Sequence, residues 1–373
     1  MSLIFNRLLQ RGAVLSAVSL VILSACRFDD RIRILEDARR DFRIPGLAAA
    51  IVTLDSFDVL AAGFRKLGEP DRLRTTDLMH VGSTAKSMLA TVAAREVEAG
   101  HLLWNATLES VIPEAAATAR EEYRHVTLTE LLSHHSGLPA FERAEDLAFV
   151  PELTGPVNEQ RTQFATWVLQ QPPAAAPGEF LYSNAGYVVA AAMLEHASGK
   201  TYERLMQERL FRPLQMHVRF DWPAAGGLRQ PWGHSLVDGQ LTPIDPDAPE
   251  NHFPAWAAPA GNVSVSVVDF ARYLRLHLDG LNGRPHLLQS QSFELLHTPV
   301  ADDYALGWIV VDAGTERISL HDGSNDAFYA LMIVAPRSGK AVIAVANADG
   351  PAIREGVARA ATELLNADAS GGT

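Results

Sequence analysis

Ser83-Thr84-Ala85-Lys86 sets a hydroxyl nucleophile and a lysine three residues apart at the start of an apolar-periodic segment that runs to Gly100. No other serine in the chain is followed three residues later by lysine. Residues at i and i+3 share a helix face, so the Lys86 amine is expected beside Ser83 Oγ, placed to take its proton. A helix start also offers unpaired backbone N–H groups where an oxyanion can form. Alone, the four residues read more readily as a capping serine plus a solvated lysine.

Two further segments follow in a fixed order. Tyr182-Ser183-Asn184 comes after the turn Pro177-Gly178-Glu179-Phe180-Leu181 and opens a helical segment; it is the only Tyr-x-Asn in the chain, and its phenol is a candidate proton shuttle. His321-Asp322-Gly323 lies inside a strand-like run, with Arg317-Ile318-Ser319-Leu320 before it and Ala327-Phe328-Tyr329-Ala330 after it. His80-Val81-Gly82 and His135-Ser136-Gly137 have the same H-x-G spacing, but only His321 lies downstream of the tyrosine and in a strand context. No G-x-S-x-G occurs, which weighs against an α/β-hydrolase nucleophile elbow.

In this order, Ser-x-x-Lys, Tyr-x-Asn and a Lys-or-His-x-Gly resemble the penicillin-recognising serine hydrolases, and within them the class C β-lactamase-like branch. Ile44-Pro45-Gly46-Leu47, Leu131-Leu132-Ser133-His134-His135-Ser136-Gly137-Leu138-Pro139 and Ala305-Leu306-Gly307-Trp308 extend the similarity over essentially the whole mature chain. The resemblance implies an α/β fold of the α+β type: an antiparallel sheet flanked by N- and C-terminal helices, with an inserted, mostly helical lobe. It implies Ser83, Lys86 and Tyr182 as catalytic residues, with Asn184 holding Lys86 and the substrate amide or ester. Ser83 N–H and Ser324 N–H would form the oxyanion hole, Gly323 would keep its strand clear of the ligand, and His321 would meet the substrate. No cofactor is implied. Whether Lys86 or a Tyr182 phenolate is the base stays open, because an unperturbed tyrosine near pKa ~10 needs a neighbouring cation to ionise.

His321 departs from the lysine often found at this point. An unperturbed histidine titrates near ~6.5 and is mostly neutral at pH 7, offering less fixed charge to a substrate carboxylate. Members with histidine here resemble D,D-peptidases, D-aminopeptidases and esterases. The expected function is therefore a serine hydrolase working through an acyl-enzyme on a small ester, amide or D-amino-acid peptide. The alternatives are a penicillin-binding or sensor module with little turnover, and a true class C-like β-lactamase.

The coarse pattern reads as one domain in two lobes. Leu47–Thr53 and Asp58–Gly63 are expected as paired strands, Ser83–Gly100, Asn184–Ser198 and Thr201–Leu210 as helices, and further helices start at the capping-box patterns Thr127–Glu130 and Ser266–Asp269. Strands are expected again at Ala305–Val311, Arg317–His321, Phe328–Val334 and Ala341–Ala346, and a closing helix at Ile353–Leu365. A sheet lobe of about residues 30–75 and 300–370 would thus enclose a helical lobe, with the cleft along their junction. Strand alternation turns Asp322 away from His321. His134-His135 has no second cluster with zinc-ligand spacing and reads as loop-lining, and Trp256, Tyr304 and Trp308 read as core.

The chain has 373 residues, 20% of them charged, and a net charge of −12, which argues against nucleic-acid binding; a small molecule or peptide as partner is what the resemblance implies. Residues 1–25 read as a lipoprotein signal peptide: Arg7 and Arg11 precede an apolar run from Gly12 to Ala25. Leu23-Ser24-Ala25-Cys26 resembles a lipobox, and the lone cysteine cannot form an internal disulfide. The expected mature domain, 26–373, is lipid-anchored through Cys26 in the cell envelope and faces the periplasm. Arg27 after the cysteine leans towards the outer membrane.

Overall fold

A computed structural model describes residues 30–367 except 249, 250 and 252. The expected leader and Cys26 lie outside the described residues. Among those described, the strands are β1 (Gly46–Thr53), β2 (Phe57–Gly63), β3 (Met79–His80), β4 (Val218–Arg219), β5 (His234–Val237), β6 (Gln240–Pro243), β7 (Ser264–Val265), β8 (Ile309–Ala313), β9 (Glu316–Ser324), β10 (Tyr329–Ala335) and β11 (Lys340–Ala346). Six of them form one antiparallel sheet in the order β2-β1-β11-β10-β9-β8. β1 pairs with β11 from Leu47↔Ala346 to Thr53↔Lys340, so the two ends of the chain complete the sheet and the segment between β2 and β8 is inserted.

The near-continuous apolar run of β1 follows from burial on both faces. Leu47, Ala49 and Ile51 join Val342 and Ala344 in a core with the helix over residues 30–41 and the C-terminal helix Pro351–Asn366. Ala48, Ala50 and Val52 join Ile343 and Val345 in the larger core, against the helix Val267–Leu281. Alanines at these positions let helices approach the sheet closely from either side. The helical insertion is punctuated by side-chain caps. Thr127 and Glu130 form a reciprocal capping box, Ser183 Oγ accepts from Gly186 N at 3.1 Å, and Ser266 Oγ accepts from Asp269 N at 3.1 Å.

Three local expectations change. Ser83 sits not in the first turn of an α-helix but in a 3-10 turn, Gly82–Thr84, and the α-helix runs from Ala85 to Glu98. Ala305–Trp308 is not strand: Gly307 has φ 78°, and a Cβ there would lie 2.6 Å from Ser87 Cα, so this loop is laid against the Ser83–Lys86 segment and the strand begins at Ile309. The segment Thr201–Leu210 divides into a short α-helix, Tyr202–Met206, and a π turn, Gln207–Phe211.

Candidate active site

The short strand β3 delivers the chain to Ser83 at the junction of sheet and helical lobe. On the other side of that junction β9 ends in Gly323-Ser324. The two backbones touch: a Cβ on Gly323 would collide with Val81 O and stand 2.6 Å from Ser83 N. The missing side chain of Gly323 therefore makes room for the serine's own turn, a correction to the expectation that it clears space for a ligand. Gly82 answers from the opposite side with φ 52°, and a Cβ on it would run into Ser324 N.

The edge of β9 is open where this happens. β8 and β9 are joined by the two-residue turn Gly314-Thr315, with Ala313 opposite Glu316 and the register running to Ile309↔Leu320. A two-residue hairpin closes on a hydrogen-bonded pair, so the even-numbered residues of β9 aim their amides at β8. β8 stops opposite Leu320, leaving the Ser324 amide directed to an uncovered edge beside the Ser83 turn. Ser83 N–H and Ser324 N–H thus flank the nucleophile, a pair of donors suited to an oxyanion.

Lys86 is wholly buried. Its Nζ lies 2.9 Å from Ser83 Oγ and 2.7 Å from Asn184 Oδ1, and it bonds the Ala260 carbonyl. Desolvation pushes its pKa down to about 7, partly opposed by Glu142 and Asp322. The ammonium form has three N–H groups for these three acceptors. The neutral amine has two, which the two carbonyl oxygens take, leaving its lone pair for the Ser83 hydroxyl.

Tyr182 lies at the start of the helix Asn184–Ser198, with Lys86 Nζ 5.0 Å from its ring centroid. Burial raises the phenol's pKa well above its usual value, and a hydrogen bond with the Ser83 side chain works against that rise. The segment around it is pinned to the 134–141 loop. Leu181 N donates to His134 O at 2.8 Å, Ser183 N to His134 Nδ1 at 3.0 Å, Ser183 Oγ to Pro139 O at 2.7 Å and Asn184 Nδ2 to Phe141 O at 2.8 Å.

His321 is placed differently from the sequence expectation. It is 2% exposed, its Nδ1 lies 2.5 Å from Asp322 O, and its Nε2 lies 2.9 Å from Tyr304 Oη. A carbonyl can only accept, so Nδ1 carries the proton and Nε2 accepts from the tyrosine. Both ring nitrogens are spent on the protein, which corrects the expectation of a side chain presented to substrate. Burial, reinforced by Lys86, pushes its pKa down to about 4, so it does not titrate near ~6.5 as a free histidine would. Asp322 lies on the other strand face, near Tyr329 and Arg354.

Several participants carry no sequence signal of their own. The Ala260 and Phe141 contributions are backbone carbonyls brought in by the fold. Tyr304, read as core, is buried but supports His321; His134, read as loop-lining, packs against Tyr182 with tilted rings whose centroids are 4.2 Å apart. The Leu131–Pro139 motif contains His134 but carries no sign of its contacts. Trp308 is buried as expected, and Trp256 stacks on Phe164 at 4.5 Å.

The family model described as Beta-lactamase matches residues 32–366. Penicillin-binding protein 4 of Amycolatopsis lactamdurans is 26% identical over 322 residues, 83% of this chain and 82% of that protein. The unguisins hydrolase ungD' of Aspergillus campestris is 26% identical over 323 residues, 82% of this chain but 59% of its own length. Protein flp of Staphylococcus aureus is 21% identical, and the match covers 66% of it. Among solved structures, the octameric penicillin-binding protein homologue from Pyrococcus abyssi aligns with a TM-score of 0.71 at 23% identity, over 91% of this chain and 77% of the other. SurE with D-Leu gives 0.73 at 22% identity, over 94% and 77%. The class C beta lactamase from Rhodobacter sphaeroides gives 0.70 at 19% identity, over 90% and 97%. These structures share the fold of this chain.

Proposed function

The chain belongs to the Beta-lactamase family, and we propose that it hydrolyses small neutral esters, amides or D-amino-acid peptides through an acyl-enzyme on Ser83. The observation that carries this reading is the bonding of Lys86: two carbonyl acceptors hold its N–H groups and its third position meets Ser83 Oγ. With a pKa near 7 the amine is neutral often enough to act as base, whereas the phenol, with its pKa raised, stays protonated. Lys86 is therefore assigned as the base and Tyr182 as the relay.

Ser83 Oγ bonds to the substrate carbonyl carbon while its proton passes to Lys86 Nζ, and the carbonyl oxygen becomes an oxyanion at Ser83 N–H and Ser324 N–H. As the tetrahedral carbon collapses, Tyr182 gives its phenolic proton to the leaving oxygen or nitrogen and is reprotonated from the Lys86 ammonium. Water then attacks the acyl-serine with the roles reversed, releasing the acid and restoring Ser83.

Substrate preference follows from charge. The carboxylates of Glu142 and Asp322 act on both Lys86 and Tyr182, and His321 is neutral with both nitrogens engaged. This environment favours neutral acyl groups over anionic ones, and the D-Leu bound by the fold neighbour SurE makes D-amino-acid derivatives the first peptides to try. Hydrolysis of p-nitrophenyl acetate by the mature protein, lost in Ser83→Ala, tests the reading; equal rates in both would refute it. We also place the protein at a membrane surface through lipid on Cys26. Fatty-acid probe labelling that disappears in Cys26→Ser is the expected result, and unlabelled wild type would refute the anchor.

A further inference from the structure

The geometry points to His134 as the positioning residue of the Tyr182 phenol, holding it for Ser83 and sealing Lys86 from water. The inference rests on the reading of Ser83 as nucleophile and assigns a role outside the three motifs. One residue takes the amides on both sides of the tyrosine: Leu181 N donates to the His134 carbonyl at 2.8 Å and Ser183 N to His134 Nδ1 at 3.0 Å. The same imidazole lies 4.2 Å from the Tyr182 ring centroid, and Tyr304 and Tyr187 stand at 4.6 and 5.2 Å. The phenol ring thus has one supported orientation.

Two features argue that His134 is more than a filler of this space. It is fully buried and has φ 65°, the left-handed region that few non-glycine residues occupy. Because Nδ1 accepts, the proton of the neutral ring sits on Nε2, and that atom has no hydrogen-bond partner among the described residues. A side chain selected only for packing would avoid burying an unmet donor. The function that fits both is orientation of Tyr182. The rings of Tyr182 and Tyr187, both against His134, also lie 5.0 and 5.3 Å from Lys86 Nζ and wall it in. Loosening them would admit water and let the lysine's pKa climb back towards its ordinary value. The charged and titratable groups acting here are Lys86, His321 and His135 on His134, and Glu142 and Asp322 on Lys86 and Tyr182.

Two variants divide the role. His134→Asn tolerates the left-handed backbone and keeps an oxygen acceptor for Ser183 N–H but removes the ring; His134→Phe keeps the ring and removes the acceptor. Each is checked by thermal melt, solved crystallographically, and assayed across pH for hydrolysis of an unactivated alkyl acetate, whose leaving oxygen needs the Tyr182 proton. For the folded variants we expect kcat lower by about tenfold or more with KM little changed, the acid limb displaced upward from about pH 7, and Tyr182 turned away from Ser83. If His134→Asn melts out, His134→Phe carries the same test. Wild-type kcat, acid limb and Tyr182 position in a folded variant would overturn the inference. A wild-type protein that never acylates at Ser83 would instead overturn the hydrolase reading, and the Tyr182 position in the variant crystals would still decide the role of His134.

Discussion

Asn184 is locked in one orientation towards Lys86: its Nδ2 donates to Phe141 O at 2.8 Å, which leaves Oδ1 facing Lys86 Nζ at 2.7 Å. An amide so fixed accepts from the lysine and cannot compete with it for the serine proton. Together with the Ala260 carbonyl it commits two N–H groups, and the third direction is Ser83. The arrangement makes the lysine a directed base, with burial supplying the lowered pKa.

Activity should therefore rise with pH through about 7. Lys86 must be neutral to act, its folded pKa is lowered, and protonation below that value removes the lone pair. The kcat/KM profile for a neutral ester should show an acid limb near pH 7. Lys86→Ala should lower acylation by about 100-fold or more and abolish that limb, with Ser83→Ala as the background control.

Tyr182→Phe should keep the fold and lower turnover by about 100-fold. The loss should be greatest for substrates with poor leaving groups, because the phenol's task is to protonate the departing atom. An equal, small loss for an activated aryl ester and for an amide would take the tyrosine out of the relay.

Preference for neutral over anionic ligands should be constant from about pH 8 down to about pH 5.5, where an unperturbed histidine would already have gained charge. His321 is held neutral to about pH 4. Competition between a carboxylate-bearing and a neutral ester, read as the ratio of their kcat/KM values so that the neutral Lys86 both need cancels, gives a flat ratio if His321 is buried and bonded as described, and a sloping one if it reaches the ligand.

Acid should destabilise the protein before carboxylates titrate. His80 and His321 have folded pKa values of about 4, and His277 and His297 are also depressed, all by burial. In the unfolded chain each titrates near ~6.5, so below that pH the unfolded state binds more protons and stability is lost as pH falls through the folded values. Urea unfolding midpoints should drop steadily between about pH 6.5 and 4. A midpoint constant over that window would contradict the burial.

Gly323→Ala should destabilise by roughly 1–3 kcal/mol, because the new methyl meets backbone atoms of Val81, Ser83 and Thr84 that have no rotamer to change. Loss of Ser83 acylation should accompany the fall in melting temperature. Wild-type rate and stability would mean that β9 and the Ser83 turn are not in contact.

Much of this was legible in the chain because side chains carried it. Ser83, Lys86 and Tyr182 announce themselves by spacing, and Thr127 and Ser266 mark their helix starts. What escaped depends on contacts between segments distant in sequence. The Ala260 carbonyl reaches Lys86 from 174 residues away, and no residue type signals a carbonyl. The H-x-G pattern marks the position of His321 but not its environment, since only the packing of Tyr304 and the bend to Asp322 O show that its nitrogens are used. Ala305–Trp308 has strand composition, yet Gly307 bends it against Ser87.

The central claim, that Lys86 activates Ser83 to carry the acyl group, is tested most directly by intact mass and peptide mapping after a short pulse of p-nitrophenyl acetate at pH 6 and pH 8. An acetyl adduct on the peptide containing Ser83, formed faster at pH 8 and absent in Ser83→Ala and Lys86→Ala, is the predicted result. An adduct on another residue, or Ser83 labelling at full rate without Lys86, would contradict it.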